Sequence, residues 1–184
     1  EAIVNRINAD LANNLGNLAQ RSLSMIFKNC DGKIPAPGDF SDADRAIVAA
    51  TDAIHAKARE AMDSQAITRY LDAVWEVISA ANGYFAGEEP WAKKKTDAGR
   101  MATILYVTAE CVRQFAILAQ PVMPDGCGKL LDQLAVPADA RSFASLGAAG
   151  RLKSGTPIGE PQGVFARWVD PSAEKSTDPS AKKK

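Results

Sequence analysis

Residues 10–21 of the chain read Asp10-Leu-Ala-Asn-Asn-Leu-Gly-Asn-Leu-Ala-Gln-Arg21. Leu11, Leu15 and Leu18 recur at steps of four and three, which places them along one stripe of an α-helix and predicts a core-facing surface. The three asparagines cost a few tenths of a kcal/mol each in helix propensity and the glycine about 1, a sum of roughly 2–3 kcal/mol. Because a helix needed only for stability would not contain them, the stretch is also a candidate site.

The polar residues of this stretch cluster on one edge of the predicted helix. At 100° per residue, Asp10, Asn13, Asn14, Asn17 and Arg21 lie beside the leucine stripe rather than opposite it. Asn17 and Arg21 are four residues apart and point the same way. On spacing alone, this edge fits a binding site and a contact with solvent or a neighbouring helix equally well.

The composition indicates one globular domain, with or without a tail. Of the 184 residues, 46% are apolar and 24% charged, and no run approaches the ~18 apolar residues of a membrane span, so we expect no membrane partner. The formal net charge is zero, so any contact with phosphates must come from local patches. Cys30, Cys111 and Cys127 form no Cys-x-x-Cys pair and follow no secretory signal, which predicts reduced, mostly buried thiols in the cytoplasm.

Apolar periodicity predicts an all-α fold, an antiparallel bundle of four to five helices with a C-terminal segment that folds back. The helices are expected at about 3–27, at 42–62 after a Ser41 capping box, from the break at 63–64 to Gly87, at 97–120, and around Leu130–Leu134. The segment 88–95 is expected to be a connection or a single helical turn.

Three regions are predicted along the chain. Residues 1–147 form the bundle, and 148–170 form an extended segment. Phe165 and Trp168 are too apolar to stay in solvent, so this segment should dock on the helices or on a further part of a longer protein. The chain begins inside a helical pattern without Met, as a piece of a longer protein would. The Ser-, Lys- and Pro-rich residues 171–184 are predicted to be disordered.

No catalytic or metal-binding constellation is evident. His55 is the only histidine and lacks a partner, so a packing role is favoured over a catalytic base. The segment Gly126-Cys-Gly-Lys129 lacks the first glycine and the Ser or Thr of a phosphate loop. Asp39, Asp42 and Asp44 lack the glycine and distal glutamate of a calcium loop, so they are predicted to cap a helix. We expect no catalytic residue, metal or cofactor within these residues.

Trp91 stands beside a run of three lysines, Lys93, Lys94 and Lys95. A run of lysines is usually a solvated surface. A stacking aromatic flanked by cations is, however, the arrangement that holds single-stranded nucleic acid. The segment is therefore a second candidate site.

Four motifs, in order, resemble the C-terminal anticodon-binding domain of bacterial methionyl-tRNA synthetases. They are Ala9-Asp-Leu-Ala-Asn-Asn-Leu-Gly-Asn-Leu-Ala-Gln-Arg21, Asn82-Gly-Tyr-Phe-Ala-Gly-Glu-Glu-Pro-Trp91, Leu118-Ala-Gln-Pro-Val-Met-Pro124 and Gly159-Glu-Pro-Gln-Gly-Val-Phe-Ala-Arg167. The resemblance spans about residues 2–170. Synthetases for valine, leucine, isoleucine and cysteine share the first motif loosely, whereas the Pro-Trp pair at this distance is more specific for methionine.

The resemblance implies that Asn17, Arg21 and Trp91 recognise an anticodon. The first anticodon base of a methionine tRNA is cytosine, which has an exocyclic amine donor beside two acceptors. Asn17 could accept from the amine, Arg21 could donate to the acceptors, and Trp91 could stack on a base. Lys93, Lys94 and Lys95 would then meet phosphates.

Asn13 and Asn14 are auxiliary candidates. Either could contact the RNA or simply orient the neighbouring asparagine.

The resemblance also implies a whole enzyme of which this chain is one part. That methionine–tRNA ligase would use ATP with magnesium in an absent catalytic domain of the same polypeptide. The implied partners are elongator and initiator methionine tRNAs with the anticodon CAU, and no DNA. Two alternatives stay open, a helical protein-interaction module and the anticodon domain of a related class I synthetase.

Overall fold

The computed structural model describes residues 2–169, and within that range the protein is all-α, as predicted. The helical elements are α1 (Ala2–Arg6), a π-helical segment (Ile7–Gly16), α2 (Asn17–Asn29), α3 (Asp42–Asp63), α4 (Ile67–Glu88), α5 (Pro90–Thr96), α6 (Ala98–Ala119) and α7 (Pro124–Gln133). Three short 3-10 turns follow at Ala138–Ala140, Phe143–Ser145 and Gly147–Gly150. The predicted disordered tail, 171–184, lies outside the described residues.

α6 is the central helix of the bundle. It contacts α2, α3, α4, α5 and α7, and nearly all of its side chains from Met101 to Ala119 are buried. By length and composition alone α6 could cross a membrane, although Arg100, Glu110 and Arg113 interrupt its apolar residues. Its most apolar stretch is 94% buried within the protein, which is the position of a core helix.

α3 and α4 form the largest helix pair around α6. α3 begins with the predicted capping box, in which the Asp44 amide donates to the Ser41 hydroxyl and the Ser41 amide donates to the Asp44 carboxylate. Ile67 lies on the first turn of α4 and is 56% exposed, outside the apolar stripe that packs against the core. The helix continues past Gly87 and ends where Glu89 adopts φ 46°.

The first helix is continuous from residue 2 to 29. It had been predicted to be α-helical throughout, but it contains a π-helical part. Residues 7–16 form a π-helix, whose hydrogen bonds join residues five apart rather than four. The α-helical angle of 100° per residue therefore does not apply there, and Leu11 is only half-buried whereas Leu15 and Leu18 are fully buried. The wide turn also accounts for Gly16, since a Cβ there would lie 2.8 Å from the Leu11 carbonyl oxygen.

The segment after the 3-10 turns, 151–169, returns across the bundle without regular structure. Phe165 packs between two glycines, because a Cβ on Gly16 would lie 3.3 Å from its Cβ and a Cβ on Gly126 would lie 2.6 Å from its ring. The Asn8 side chain pairs with the Trp168 backbone through two hydrogen bonds of 3.0 and 2.8 Å. The Trp168 side chain remains 44% exposed.

A buried ionic network anchors the beginning of this return segment to α6. Glu110 forms an ion pair with Arg113 at 2.6 Å, and Arg113 also donates to the Ser145 carbonyl oxygen at 2.7 Å. Arg151 bridges Glu110 at 3.1 Å and Asp52 of α3 at 2.5 Å. Because a charge left alone in such a place would be very costly, the partners hold the segment in one position.

The three cysteines are free thiols. Cys111 and Cys127 are buried, and burial raises the pKa of each to about 12. Cys30 is half-buried, and its pKa is raised by burial and by the neighbouring Asp31. These surroundings keep the thiols protonated and unreactive at neutral pH.

Two glycines of α7 provide a test of how the return segment docks. Alanine is favoured over glycine inside a helix by about 1 kcal/mol, so Gly128→Ala, which meets no atom within 4 Å, should raise the free energy of unfolding by about that amount. Gly126→Ala must displace the Phe165 ring, so we expect it to be about 1–3 kcal/mol less stable than Gly128→Ala in urea unfolding. Equal stabilisation by both substitutions would contradict the docking of Phe165 against α7.

Candidate functional site

α2 presents Asn17 and Arg21 on its exposed side. Its opposite side buries Leu18, Leu23 and Ile26 in the core, which fixes the rotation of the helix about its axis. Asn17 and Arg21 are both exposed and lie on consecutive turns, about 6 Å apart along the helix axis. The predicted pair therefore forms one small polar surface.

α5 presents Trp91. Glu89, in the left-handed region, reverses the chain after α4, and Pro90 is the buried first residue of the new helix. This segment was predicted to be a connection or one turn, and it forms a helix of seven residues. Trp91 is 43% exposed, and its ring packs against that of Phe85 of α4 in an edge-to-face arrangement with ring centroids 5.8 Å apart.

The fold brings Arg21 and Trp91 together although seventy positions separate them in the sequence. The Arg21 guanidinium carbon lies 5.0 Å from the Trp91 ring centroid and 5.2 Å from that of Phe85. Both distances are within the range of a cation–π interaction, which orients the guanidinium as well as attracting it. The result is a cluster of the partly exposed Trp91 ring and the Arg21 guanidinium, with the Asn17 amide one helical turn away.

The lysines of α5 are not equivalent. Lys93 is half-buried, and its ammonium donates to the Glu88 carbonyl oxygen at 2.5 Å. It therefore caps a carbonyl at the C-terminus of α4. Lys94 and Lys95 are exposed. These two are the lysines of the run that are free to meet a phosphate beside Trp91.

The two auxiliary asparagines also differ in their surroundings. Asn14 donates to the Ser79 hydroxyl at 3.0 Å and accepts from the Asn82 amide at 2.6 Å, so its side chain joins the π segment to α4. Trp75 supports the same junction by donating to the Asp10 carbonyl oxygen at 3.1 Å. Asn13 is exposed.

Phe85 belongs to the same cluster, although it was not among the candidate residues singled out from the sequence. It is buried, yet its ring touches both Trp91 and the Arg21 guanidinium. Its position six residues before Trp91, near the end of α4, was the available signal. Helical periodicity identifies Phe85 as a buried aromatic residue, but it does not show which exposed side chain packs against the Phe85 ring.

The other residues considered for chemistry have structural surroundings. His55 packs against Phe143 with ring centroids 5.5 Å apart. Gly126 and Lys129 lie inside α7 rather than in a loop. Within residues 2–169, no three His, Cys, Asp or Glu side chains are grouped so that they could hold a metal ion.

Comparison with known proteins identifies related domains. A family model described as the anticodon binding domain of methionyl tRNA ligase matches residues 34–180. The methionine–tRNA ligase of Rhizobium meliloti is 60% identical over 173 residues, which are 94% of this chain and 34% of the relative. An alignment of that length necessarily includes Asn17, Arg21 and Trp91. The Mycobacterium tuberculosis ligase is 50% identical over 175 residues, 93% of this chain and 33% of the relative.

Solved structures agree with the sequence relatives. The crystal structure of apo Mycobacterium tuberculosis methionyl-tRNA synthetase superimposes with a TM-score of 0.90 at 49% identity, over 93% of this chain and 35% of that one. The same enzyme bound by methionyl-adenylate gives 0.87 at 49% identity, over 90% and 33% of the two chains. The chain thus spans about a third of the length of the relatives it matches. It belongs to the family of anticodon-binding domains of methionyl-tRNA ligases.

Proposed function

We propose that this domain recognises the CAU anticodon of methionine tRNA through Asn17, Arg21 and Trp91. The observation that carries the proposal is the exposed Trp91 ring beside the Arg21 guanidinium, 5.0 Å from its centroid. A single unpaired base has two recognisable features, a flat face and a hydrogen-bonding edge. The cluster offers one group suited to each.

The edge of the first anticodon base is the feature that Asn17 and Arg21 would read. Cytosine has an exocyclic amine donor beside two acceptors, whereas uracil has an acceptor in place of the amine. The Asn17 amide oxygen accepts from the amine, and the Arg21 guanidinium donates to the acceptors. Uracil would set its O4 acceptor against the amide oxygen and its N3–H donor against the guanidinium, so discrimination follows from two unmatched groups.

The face of the base is the feature that Trp91 would bind. Stacking of one base on an aromatic side chain contributes about 1–3 kcal/mol and tolerates any base. Trp91 therefore supplies affinity, and the hydrogen bonds supply specificity. Phe85 and the α5 backbone hold the indole in place for this contact.

The phosphates near the stacked base are the partners proposed for the lysines. Lys94 and Lys95 are exposed on the same short helix as Trp91, whereas Lys93 is bound to the end of α4. Since the net charge of the chain is zero, this local concentration of cations is what would attract the RNA backbone. Such contacts position the RNA without reading its sequence.

The whole protein is proposed to attach methionine to tRNA with ATP and magnesium, through a catalytic domain that this chain does not contain. The support is the name and length of the relatives, which are methionine–tRNA ligases three times as long as the region matched. The partners of this domain would be elongator and initiator methionine tRNAs and the catalytic domain itself, in the cytoplasm.

The first test compares hairpin RNAs whose loops contain CAU or UAU. Arg21→Ala and Asn17→Ala should each reduce the preference for CAU by about 1–3 kcal/mol, the range for loss of one good base contact. Lys28→Ala is the matched control, because it removes a cation seven residues further along the same side of α2. Equal binding of the two hairpins by the unmodified chain would refute the proposal and favour an anticodon domain of different specificity or a protein-interaction module.

The second test measures the dependence of affinity on salt. Lys94→Ala and Lys95→Ala should lower affinity for both hairpins alike and reduce the slope of log K against log salt by about 0.7 for each lost phosphate contact. Lys57→Ala, an exposed substitution in α3, should leave the slope unchanged. A change in the CAU preference with either α5 variant would show that these lysines read the base instead.

The third test separates the proposed domain from the catalytic step in the full-length enzyme. Arg21→Ala should lower kcat/KM for tRNA aminoacylation by about 10–100-fold, since the lost contact is made with tRNA. Methionine-dependent exchange of pyrophosphate into ATP does not involve tRNA and should be unchanged. A parallel loss of both activities would mean that Arg21 supports the fold of the enzyme rather than tRNA recognition.

A further inference from the structure

The connection that carries Trp91 is unusually short on both sides. Only Glu89 separates α4 from α5, and only Asp97 separates α5 from α6. The direction in which Trp91 points therefore depends on how the end of α4 and the start of α6 are held relative to each other. One side chain, Arg100 on the first turn of α6, contacts both the start of α3 and the end of α4.

Arg100 binds carboxylates from two different helices. It forms an ion pair with Asp44 of α3, in which its second nitrogen contacts the other Asp44 oxygen at 2.9 Å. The same nitrogen lies 2.7 Å from the Glu88 carboxylate at the end of α4 and 3.1 Å from the Ser41 hydroxyl. The start of α3, the end of α4 and the start of α6 are thus joined through one guanidinium.

The carboxylate at the centre of this cluster is fully buried and is ionised. Burial would raise the pKa of Asp44, but hydrogen bonds from Arg100, from Tyr84 and from the Ser41 amide outweigh burial and lower it. A buried ionised carboxylate requires its guanidinium partner, because loss of one member leaves an uncompensated charge. Asp44 therefore holds the Arg100 side chain in position, and in this position Arg100 also forms an ion pair with Glu88.

The ion pair between Arg100 and Glu88 joins the two ends of the segment that contains α5. Twelve positions separate the two residues, and Trp91 lies between them. Phe85, one turn before Glu88 on α4, is the residue that contacts both the Trp91 ring and the Arg21 guanidinium. The position of the end of α4 therefore affects the positions of both Trp91 and Arg21, and the ion pair with Arg100 fixes the end of α4.

We propose that Arg100 is a positioning residue for nucleobase recognition, which holds the turn from α4 to α5 so that Trp91 stands against Arg21. The proposal rests on the proposed function, in which Trp91 stacks on an anticodon base. Arg100 itself has no contact with RNA in this scheme. Its effect is transmitted entirely through the placement of the indole.

The placement of the indole can be measured without RNA. The chain contains three tryptophans, so the indole N–H resonance of Trp91 in a ¹⁵N-labelled sample is assigned by its loss in Trp91→Phe. Arg100→Gln should shift or broaden this resonance. Glu88→Gln, which removes only the link to the end of α4, provides a second variant should Arg100→Gln fold poorly, and it should have the same effect.

Arg151→Gln is the matched control for the measurement of the indole resonance and for the measurement of RNA affinity described next. Arg151 also bridges two carboxylates, Asp52 and Glu110, and is similarly half-buried, but it joins the return segment rather than α5. It should leave the Trp91 resonance and RNA affinity unchanged. An unchanged Trp91 resonance in both Arg100→Gln and Glu88→Gln would overturn the proposal.

The RNA measurement asks whether the effect passes through Trp91. Arg100→Gln should weaken binding of the CAU hairpin about fivefold, the lower end of the range for loss of a stacked base. In a Trp91→Ala background the same substitution should cause no further loss, whereas a merely structural role would give losses that add. Additive losses, or unchanged affinity for Arg100→Gln, would overturn the proposal.

Failure of the proposed function has a different result. In that case Trp91→Ala itself would leave RNA affinity unchanged, whatever Arg100→Gln does to the indole resonance. A loss of affinity in Trp91→Ala with none in Arg100→Gln would instead leave the function standing and refute the positioning role.

Discussion

The burial of α6 on all sides is the constraint on which the rest of the structure depends. A helix that is surrounded by other helices must satisfy each of its polar groups inside the protein. α6 carries Arg100 at its start and Glu110 and Arg113 near its middle. Arg100 and Glu110 pair with charges on other elements, and Arg113 pairs with Glu110 and donates to the Ser145 carbonyl oxygen. The packing of apolar side chains brings the helices together, and these charged groups decide which parts of them meet.

The two ionic clusters along α6 act on different parts of the molecule. The cluster at Arg100 joins the ends of α3 and α4 and so defines the short helix that carries Trp91. The cluster at Glu110 binds the return segment through Arg151 and the 3-10 turn that ends at Ser145 through Arg113. The proposed recognition surface is exposed and consists of few side chains, so its geometry depends on these buried contacts beneath it.

The prediction from sequence was least accurate for the π segment, and the structure shows why it failed there. Asn13, Asn14 and Gly16 were recognised as costly in an α-helix, and a binding site and a contact with a neighbouring helix were left as equal alternatives. Asn14 bonds to Ser79 and Asn82 of the neighbouring helix, and Gly16 makes room for a carbonyl oxygen and for Phe165. A propensity scale shows that a residue is unfavourable, whereas its compensation lies in contacts with residues far away in the chain.

Sequence by itself determined the all-α class, the capping box at Ser41 and the family to which the chain belongs, since these depend on periodicity and on local motifs. It also singled out Asn17, Arg21 and Trp91 as candidates. Only the tertiary structure decided that the Arg21 guanidinium lies over Trp91, that Phe85 supports both, and that Arg100 ties the end of α4 in place. Helical periodicity specifies which way a side chain points from its own helix. The distance between side chains on different helices depends on how those helices pack, which no local pattern contains.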